Sequence, residues 1–223
     1  MNVNDTLAFG GARARTQVVL ASASPARRML LDSAGVPFTV SASNVDEDAL
    51  TAHHPRASVS ELVGLLAEAK CLNIALGLTP LAPTLVIGCD SMLDVDGIAL
   101  GKPGTAQNAI ARWQQMRGRS GVLRTGHHVA LISPGIDEPA VVSEVVSTVV
   151  HFEDVDDAEI EAYVATGEPL HVAGAFTLDS LGSAFIRGVE GDHANVVGLS
   201  ISALRRLTAQ LGVRWTDLWY PNA

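Results

Sequence analysis

Residues 22–28 of the chain could bind a phosphate group. They read Ser-Ala-Ser-Pro-Ala-Arg-Arg and follow the apolar run Val18–Leu20, which is typical of a buried strand. Ser24 is a good N-cap and Pro25 suits the first helical position, so a helix is predicted to begin directly after the turn. Backbone N–H groups at a helix start attract anions, and an arginine adds a planar pair of donors. The alternative is an ordinary capped helix with solvated arginines.

Asp90 could act as a base. It follows the apolar run 85–89, which is typical of a central strand buried on both faces. Ligands bind beyond the carboxyl ends of such strands, so the carboxylate is expected at the mouth of a site, where it could take a proton from water. The alternative is an aspartate that caps a turn before Met92.

Two lysines and an acidic turn complete the candidates. Lys70 lies beside the apolar stripe of a helix predicted over residues 58–76, and a lysine in such a place usually extends to water. Lys102 lies at a strand end in a hairpin return predicted over 97–103, which is not a P-loop because Pro103 stands where Ser or Thr would hold magnesium. Carboxylates are natural ligands for magnesium, but for Asp46 and Asp48 of the turn 44–48 a solvated loop is the better explanation.

The elements that must position these residues alternate between strands and helices. An antiparallel hairpin is predicted over 122–132 and 140–151, and a final amphipathic helix over 196–212. This pattern predicts an α/β fold with a mixed, twisted sheet. His127 and His128 are adjacent in a predicted strand and therefore face opposite sides, so neither they nor His151 is assigned a catalytic role.

The composition of the chain argues against several classes of protein. The chain has 223 residues and a formal net charge of −9, which argues against binding to nucleic-acid polymers or membrane surfaces. Its two cysteines are isolated and suit a reducing compartment. No apolar stretch is long enough to span a bilayer, and no secretory signal is recognisable. Residues 1–15 are predicted to be a flexible tail, and residues 16–223 a single domain.

An ordered set of motifs resembles the Maf (septum formation) family of nucleoside triphosphate pyrophosphatases. The resemblance extends over roughly residues 17 to 212. Its motifs are Ala21-Ser22-Ala23-Ser24-Pro25-Ala26-Arg27, Val45-Asp46-Glu47, Ala67-Glu68-Ala69-Lys70, Cys89-Asp90-Ser91, Gly101-Lys102-Pro103, Gly118-Arg119, Thr125-Gly126, Tyr163 to Pro169, Ala173-Gly174-Ala175-Phe176 and Glu190-Gly191-Asp192 to Gly198-Leu199. The resemblance implies a Maf/inosine triphosphatase-like α/β fold with two lobes and a central cleft, a cytoplasmic homodimer, and a nucleoside triphosphate as substrate.

The resemblance also implies roles for individual residues. Asp90 would activate water, Glu47 would bind a magnesium or manganese ion with Asp90 as a second candidate ligand, and Lys70 would face the substrate. The remaining predicted site residues are Ser22, Ser24, Arg27, Lys102 and Asp179. The first four of these would contact phosphates, with Lys102 also counted as catalytic. The expected reaction is hydrolysis between the α and β phosphates to a nucleoside monophosphate and pyrophosphate.

Two departures from the family pattern leave alternatives open. His171-Val172 replaces the family's Asp-Lys pair, which favours a non-catalytic nucleotide-binding regulator of septum formation as the alternative function. A structural or interaction module is a further alternative, but it would not need charges at strand ends. Asp179 replaces a Gln of the subgroup that prefers uracil and thymine, so it would either face the base or cap a turn.

Overall fold

The computed structural model describes residues 15–219. The predicted flexible tail over residues 1–15 lies outside the described residues except for Arg15, whose Nη2 donates to the carbonyl oxygen of Leu218 at 3.0 Å. Seven described strands form one sheet. They are β1 (Gln17–Leu20), β2 (Thr39–Val40), β3 (Thr84–Val95), β4 (Ile98–Leu100), β5 (Ser120–Ile132), β6 (Ala140–Phe152) and β7 (Ile186–Glu190).

Helices lie against this sheet. The α-helices of residues 15–219 are α1 (Pro25–Ser33), α2 (Glu47–His53), α3 (Val59–Ala75), α4 (Ala106–Met116), α5 (Asp157–Ala165), α6 (His193–Val197) and α7 (Ile201–Gln210). Short 3₁₀ helices occupy Glu168–His171, Ala173–Ala175, Leu181–Phe185 and Trp215–Leu218. No helix of this part of the chain combines the length and the apolar character that crossing a membrane requires.

The sheet has the order β2-β1-β3-β5-β6-β7, with β4 paired to the end of β3. β1 is parallel to β2 and β3, whereas β3, β5, β6 and β7 pair antiparallel. This arrangement confirms the predicted α/β class with a mixed sheet flanked by helices. It also confirms the hairpin of β5 and β6.

Separate apolar clusters pack on the two ends of the long strand β3. At the Leu93 end, Trp113 of α4 and Tyr163 of α5 are buried with Phe152. At the other end, Leu85 packs with residues of α1 and α7 on one face, and α3 covers the opposite face. Asp90 lies on β3 between these two regions, so the strand that joins them also carries the predicted base.

Two glycines allow α3 to lie directly on the sheet. A Cβ added at Gly88 would lie 2.3 Å from the carbonyl oxygen of Ala67, and one added at Gly126 would lie 2.2 Å from that of Val63. Real Cβ atoms do not approach backbone oxygens this closely, so a side chain at either position would push α3 away. The helix predicted over 58–76 is confirmed, with the Ser58–Glu61 capping box in place.

Three predicted boundaries were wrong, each for an identifiable reason. Asp90 is not at the carboxyl end of its strand: β1 stops at Leu20, opposite Ile87, whereas β3 continues to Val95 in its hairpin with β4. Asp90 therefore lies just beyond the end of β1 rather than beyond its own strand. Asp90 is therefore still next to the carboxyl end of a parallel strand, but that strand is β1 and not β3.

The acidic turn is the start of a helix. Asp46 caps α2 by accepting a hydrogen bond from the backbone N–H of Ala49 at 2.9 Å, and Glu47 and Asp48 occupy the first turn. Carboxylates are stabilised there by the positive end of the helix dipole. The expected solvated loop was therefore wrong, because three clustered carboxylates also match a helix N-terminus.

The final predicted helix is broken in two. Gly198 has φ 127°, which ends α6, and Ser200 then caps α7 by accepting from the N–H of Ala203 at 3.0 Å. The apolar periodicity continues through both helices, so periodicity alone could not reveal the break.

Candidate active site

Lys70 joins two carboxylates from different parts of the chain. Its Nζ lies 2.5 Å from Oδ1 of Asp90 on β3 and 2.8 Å from Oε1 of Glu47 on α2. Lys70 and Asp90 are buried, with 7% and 6% of their surfaces exposed, whereas Glu47 is exposed. We call Glu47, Lys70 and Asp90 the acid–lysine cluster. The sequence predicted all three residues, and the structure brings them into contact.

The environment of Asp90 makes it a stronger base than an exposed aspartate. Burial raises the pKa of its carboxyl, while the positive charges of Lys70 and Arg27 act in the opposite direction and the charge of Glu47 adds to the rise. The hydrogen bond from Lys70 goes to Oδ1, and within residues 15–219 no donor contacts Oδ2. One carboxylate oxygen is thus held in place while the other is free to accept a proton.

Ser22 and Ser24 form the turn between β1 and α1. The N–H of Ser24 donates to Oγ of Ser22 at 3.2 Å, and Oγ of Ser24 accepts from the N–H of Arg27 at 3.4 Å. The N-cap prediction for Ser24 is confirmed. Because both hydroxyl oxygens act here as acceptors, their hydrogens remain free to donate to another group.

Arg27 is buried and bonded to the protein itself. Its Nη1 donates to the carbonyl oxygen of Cys89 at 2.8 Å and to Oγ of Ser22 at 3.2 Å. Its Nε donates to the carbonyl oxygen of Gly198 at 2.8 Å, and its Nη2 to Oγ of Ser91 at 3.1 Å. A guanidinium has five N–H groups, and one on Nη2 is left over. Arg27 therefore joins the β1–α1 turn, β3 and the α6–α7 connection through hydrogen bonds. The sequence had predicted only a contact with phosphate for this residue.

A polar layer behind Arg27 was not predicted. Oγ of Ser91 lies 2.9 Å from Oγ1 of Thr125, which donates to the carbonyl oxygen of Asn195 at 3.1 Å. The N–H of Ser200 donates to Nε2 of His127 at 2.9 Å. Burial and the charge of Arg27 lower the pKa of His127 to about 4, so its ring is neutral at physiological pH. The motif around Gly198 was recognised, but its contact with Arg27 links residues far apart in sequence.

Lys102 and Asp179 do not join this group. Both are exposed, and no hydrogen bond or ion pair engages either side chain within the described residues. Lys102 lies after β4, in a loop whose backbone is bonded at Gly101 and Gly104 to residues 174 and 170. The structure thus places Ser22, Arg27, Glu47, Lys70 and Asp90 in one connected site and these two residues on separate loops.

The donor set suits a divalent cation that is shared with a substrate. Among residues 15–219 no three His, Cys, Asp or Glu side chains are grouped as a metal site would require. Magnesium, however, is commonly held by one or two carboxylates together with phosphate oxygens. Glu47 and Asp90, both bonded to one lysine nitrogen, provide such a pair.

A cavity of about 800 Å³ lies elsewhere, on the other side of α3. It is lined by residues 53–57 after α2, by the face of α3 that includes Glu61 and Glu68, and by Ser143 and Val145 of β6. None of the predicted site residues lines it, so we do not assign the reaction to this cavity.

A family model and several named proteins match most of the chain. A family model described as Maf-like protein matches residues 17–211. A nucleoside triphosphate pyrophosphatase of Streptomyces coelicolor is 54% identical over 207 residues, covering 93% of this chain and 96% of that protein. One of Rhodococcus jostii is 49% identical over 210 residues, covering 92% and 96%. The solved Ham1 protein of Staphylococcus aureus overlaps 62% of this chain and 72% of its own, with 16% identity and a TM-score of 0.32, too low to support an argument.

Proposed function

The chain belongs to the Maf family, and we propose that it is a nucleoside triphosphate pyrophosphatase that cleaves between the α and β phosphates. The products are a nucleoside monophosphate and pyrophosphate. Relatives with this name are about half identical to the chain over nearly their whole length. The observation within the molecule that supports the reaction best is the buried Asp90, bonded through one oxygen to Lys70.

Asp90 removes a proton from the attacking water. Water is a weak nucleophile at neutral pH, and a base with a raised pKa takes its proton more readily than an ordinary aspartate. Lys70 keeps Asp90 ionised and oriented through Oδ1, so that Oδ2 can accept the proton. Glu47 contacts Lys70 from the solvent side and leaves the acid–lysine cluster with one net negative charge.

The turn between β1 and α1 receives the phosphates. The hydroxyl hydrogens of Ser22 and Ser24 and the remaining N–H of Arg27 are donors at the start of α1, where negative charge is favoured. Lys102 neutralises the leaving pyrophosphate, because removing charge from the leaving group lowers the barrier. This assignment requires the loop of Lys102 to approach the bound substrate.

We propose that Glu47 and Asp90 share a magnesium or manganese ion with the substrate phosphates. Such an ion, when bound, supplies positive charge that polarises a phosphoryl oxygen or a water.

Asp179 is proposed to face the nucleobase. Its ionised carboxylate only accepts hydrogen bonds, which suits guanine, with its adjacent N1–H and N2–H donors, or the amino group of cytosine.

The proposed setting is the cytoplasm, with the enzyme assembled as a homodimer and acting in septum formation. Cys71 and Cys89 are both buried and unpaired, and burial raises the pKa of these thiols, to about 12 and about 11. Unreactive free thiols suit a reducing compartment. Light scattering after gel filtration will measure the mass in solution, and a mass of one chain would contradict the dimer.

Pyrophosphate release from a panel of nucleoside triphosphates tests the activity. The panel contains the common ribo- and deoxyribonucleotides and methylated guanine nucleotides, each with and without magnesium. We expect equal amounts of monophosphate and pyrophosphate from at least one nucleotide, only when the metal is present. Tight binding without release of pyrophosphate from any nucleotide would instead support the non-catalytic regulator.

A further inference from the structure

Glu168 connects α5 to a distant part of the chain. The hydroxyl of Tyr163 on α5 donates to its Oε1 at 3.0 Å, and the hydroxyl of Thr177 donates to the same oxygen. The hydroxyl of Ser180 donates to Oε2 at 2.8 Å. Three side chains from two segments are therefore oriented toward one carboxylate.

Two backbone N–H groups complete its surroundings. Leu181 donates to Oε2 at 3.2 Å and Gly182 to Oε1 at 3.0 Å. Burial acts to raise the pKa of Glu168, but the bonds from Thr177, Gly182 and their neighbours outweigh it and lower the pKa to about 2. The carboxylate thus stays ionised at any pH where the enzyme works. Its partners lie on both sides of Asp179 in the sequence, because Glu168 accepts from the Thr177 side chain before it and from residues 180–182 after it.

The same segment holds the loop of Lys102. The N–H of Gly104 donates to the carbonyl oxygen of Leu170 at 3.1 Å, and the N–H of Gly174 donates to the carbonyl oxygen of Gly101 at 3.2 Å. These two bonds lie on either side of Lys102. The residues that follow Glu168 therefore hold the backbone on both sides of Lys102 and fix the position of its Cα.

The segment is anchored to the core beyond these contacts. Gly174 has φ 71°, and a Cβ there would lie 2.9 Å from Cβ of Leu93, so a side chain is excluded. Nε1 of Trp113 donates to the carbonyl oxygen of Ala175 at 2.8 Å. Residues 174–175 are thus fixed independently, and Glu168, which precedes this anchor, contacts residues 177–182, which follow it.

We propose that Glu168 is a positioning residue that orders the two substrate-facing loops, residues 101–104 and 177–182, together. It neither transfers a proton nor contacts the reacting atoms. Its effect on the nucleotide passes through Lys102 and Asp179, and this part rests on the proposed function. Four of its five donors come from residues 177–182, and the backbone that follows Glu168 holds residues 101–104 through Leu170 and Gly174, so loosening Glu168 should loosen both loops.

The test compares Glu168→Gln with Glu161→Gln, an exposed glutamate on α5. The amide of Gln has only one acceptor oxygen and cannot satisfy the N–H groups of both Leu181 and Gly182. We expect KM of Glu168→Gln for the best nucleotide of the panel to rise about tenfold, with a smaller change in kcat. Ser180→Ala, which removes a single exposed donor, should raise KM about threefold.

Coupling to Lys102 separates positioning from a general loss of structure. If Glu168 acts through Lys102 and Asp179, Glu168→Gln should raise KM less in a Lys102→Ala background than in the wild type, and hardly at all in a Lys102→Ala/Asp179→Ala background. Independent, multiplying effects, or an unchanged KM in Glu168→Gln, would overturn the proposal. Glu161→Gln should match the wild type in both constants.

Hydrogen exchange of the free protein provides a readout that does not depend on activity. In Glu168→Gln we expect faster exchange at the amides of Gly104, Leu181 and Gly182, and unchanged exchange in β3 and β5. Unchanged exchange at these three amides, or faster exchange throughout the sheet, would overturn the proposal. If the wild type released no pyrophosphate, the proposed function would fail while this measurement still decided the role of Glu168.

Discussion

Lys70 and Lys102 are both assigned to the proposed reaction, but the protein holds them in opposite ways. Lys70 is buried between Asp90 and Glu47, on a helix pressed against the sheet at Gly88 and Gly126. Lys102 is exposed on a loop whose order depends on backbone bonds to a neighbouring segment. The buried lysine is already in place before substrate arrives, whereas the exposed one must be brought to it.

This difference suggests a division of labour. Groups that take part in bond breaking benefit from a fixed, desolvated position, because electrostatic stabilisation is strongest where little reorganisation is needed. Groups that select and retain a nucleotide can lie on loops, which tolerate sequence change. The His171-Val172 departure from the family pattern falls in the loop region, and the acid–lysine cluster keeps every expected residue.

The largest effect is expected for Asp90→Asn. This change keeps the size of the side chain but removes the proton acceptor, so kcat should fall about a hundredfold or more. Asp137→Asn, in the exposed turn between β5 and β6, is the matched control and should retain full activity. Wild-type kcat in a correctly folded Asp90→Asn protein would remove Asp90 from the mechanism.

Arg27→Ala should damage stability and activity together. It leaves the buried carbonyl oxygens of Cys89 and Gly198 without their donor, so the free energy of unfolding should fall by about 3 kcal/mol or more. Arg28→Ala, at an exposed position in the same helical turn, should cost less than about 0.5 kcal/mol. Urea denaturation measures both values, and a larger loss for Arg28→Ala would show that the register of the turn is wrong.

Because His127 is buried in its neutral form, it should make the stability of the protein depend on pH. Its pKa is about 4 when folded, below the ordinary value of 6.5, so the unfolded chain binds the proton first as the pH falls. Stability is thus complete above pH 6.5 and declines toward pH 4, by about 3 kcal/mol at most. His127→Gln should lack this part of the slope in urea denaturation curves taken across the range. An identical slope in the variant would contradict the assignment.

The smallest effect is expected at Asp179. Gln offers one donor and one acceptor, which suits uracil or thymine, so Asp179→Gln should shift the ratio of kcat/KM values toward uridine and thymidine triphosphates by about tenfold. The panel described above measures this ratio. If the wild type already prefers those nucleotides and the substitution changes nothing, Asp179 caps its turn and does not face the base.

The sequence predicted the acid–lysine cluster better than the loops that carry Lys102 and Asp179. The apolar run before Asp90 and the stripe beside Lys70 both report burial, and the family motifs supplied the chemical roles. The contacts of Arg27 were not predictable, because two of its acceptors are backbone oxygens 62 and 171 residues away. Backbone groups have no signature in a sequence.

The contacts of Glu168 with the loop 177–182 could not be predicted from the sequence either. The family motif contains it, but nothing in the sequence indicates that its donors are Thr177, Ser180 and two backbone N–H groups. The break at Gly198 was hidden because apolar periodicity continues across it. In each case the decisive information is a contact between segments rather than a property of either segment.

Binding of a non-hydrolysable α,β-methylene nucleoside triphosphate tests the division of labour most directly. Isothermal titration with magnesium would compare the wild type, Asp90→Asn and Lys102→Ala. The account predicts that Asp90→Asn binds the analogue within about threefold of the wild type, because the amide oxygen of Asn can still contact the metal ion and only the proton acceptor is lost, and that Lys102→Ala binds about tenfold more weakly. Loss of binding in Asp90→Asn together with unchanged binding in Lys102→Ala would contradict it.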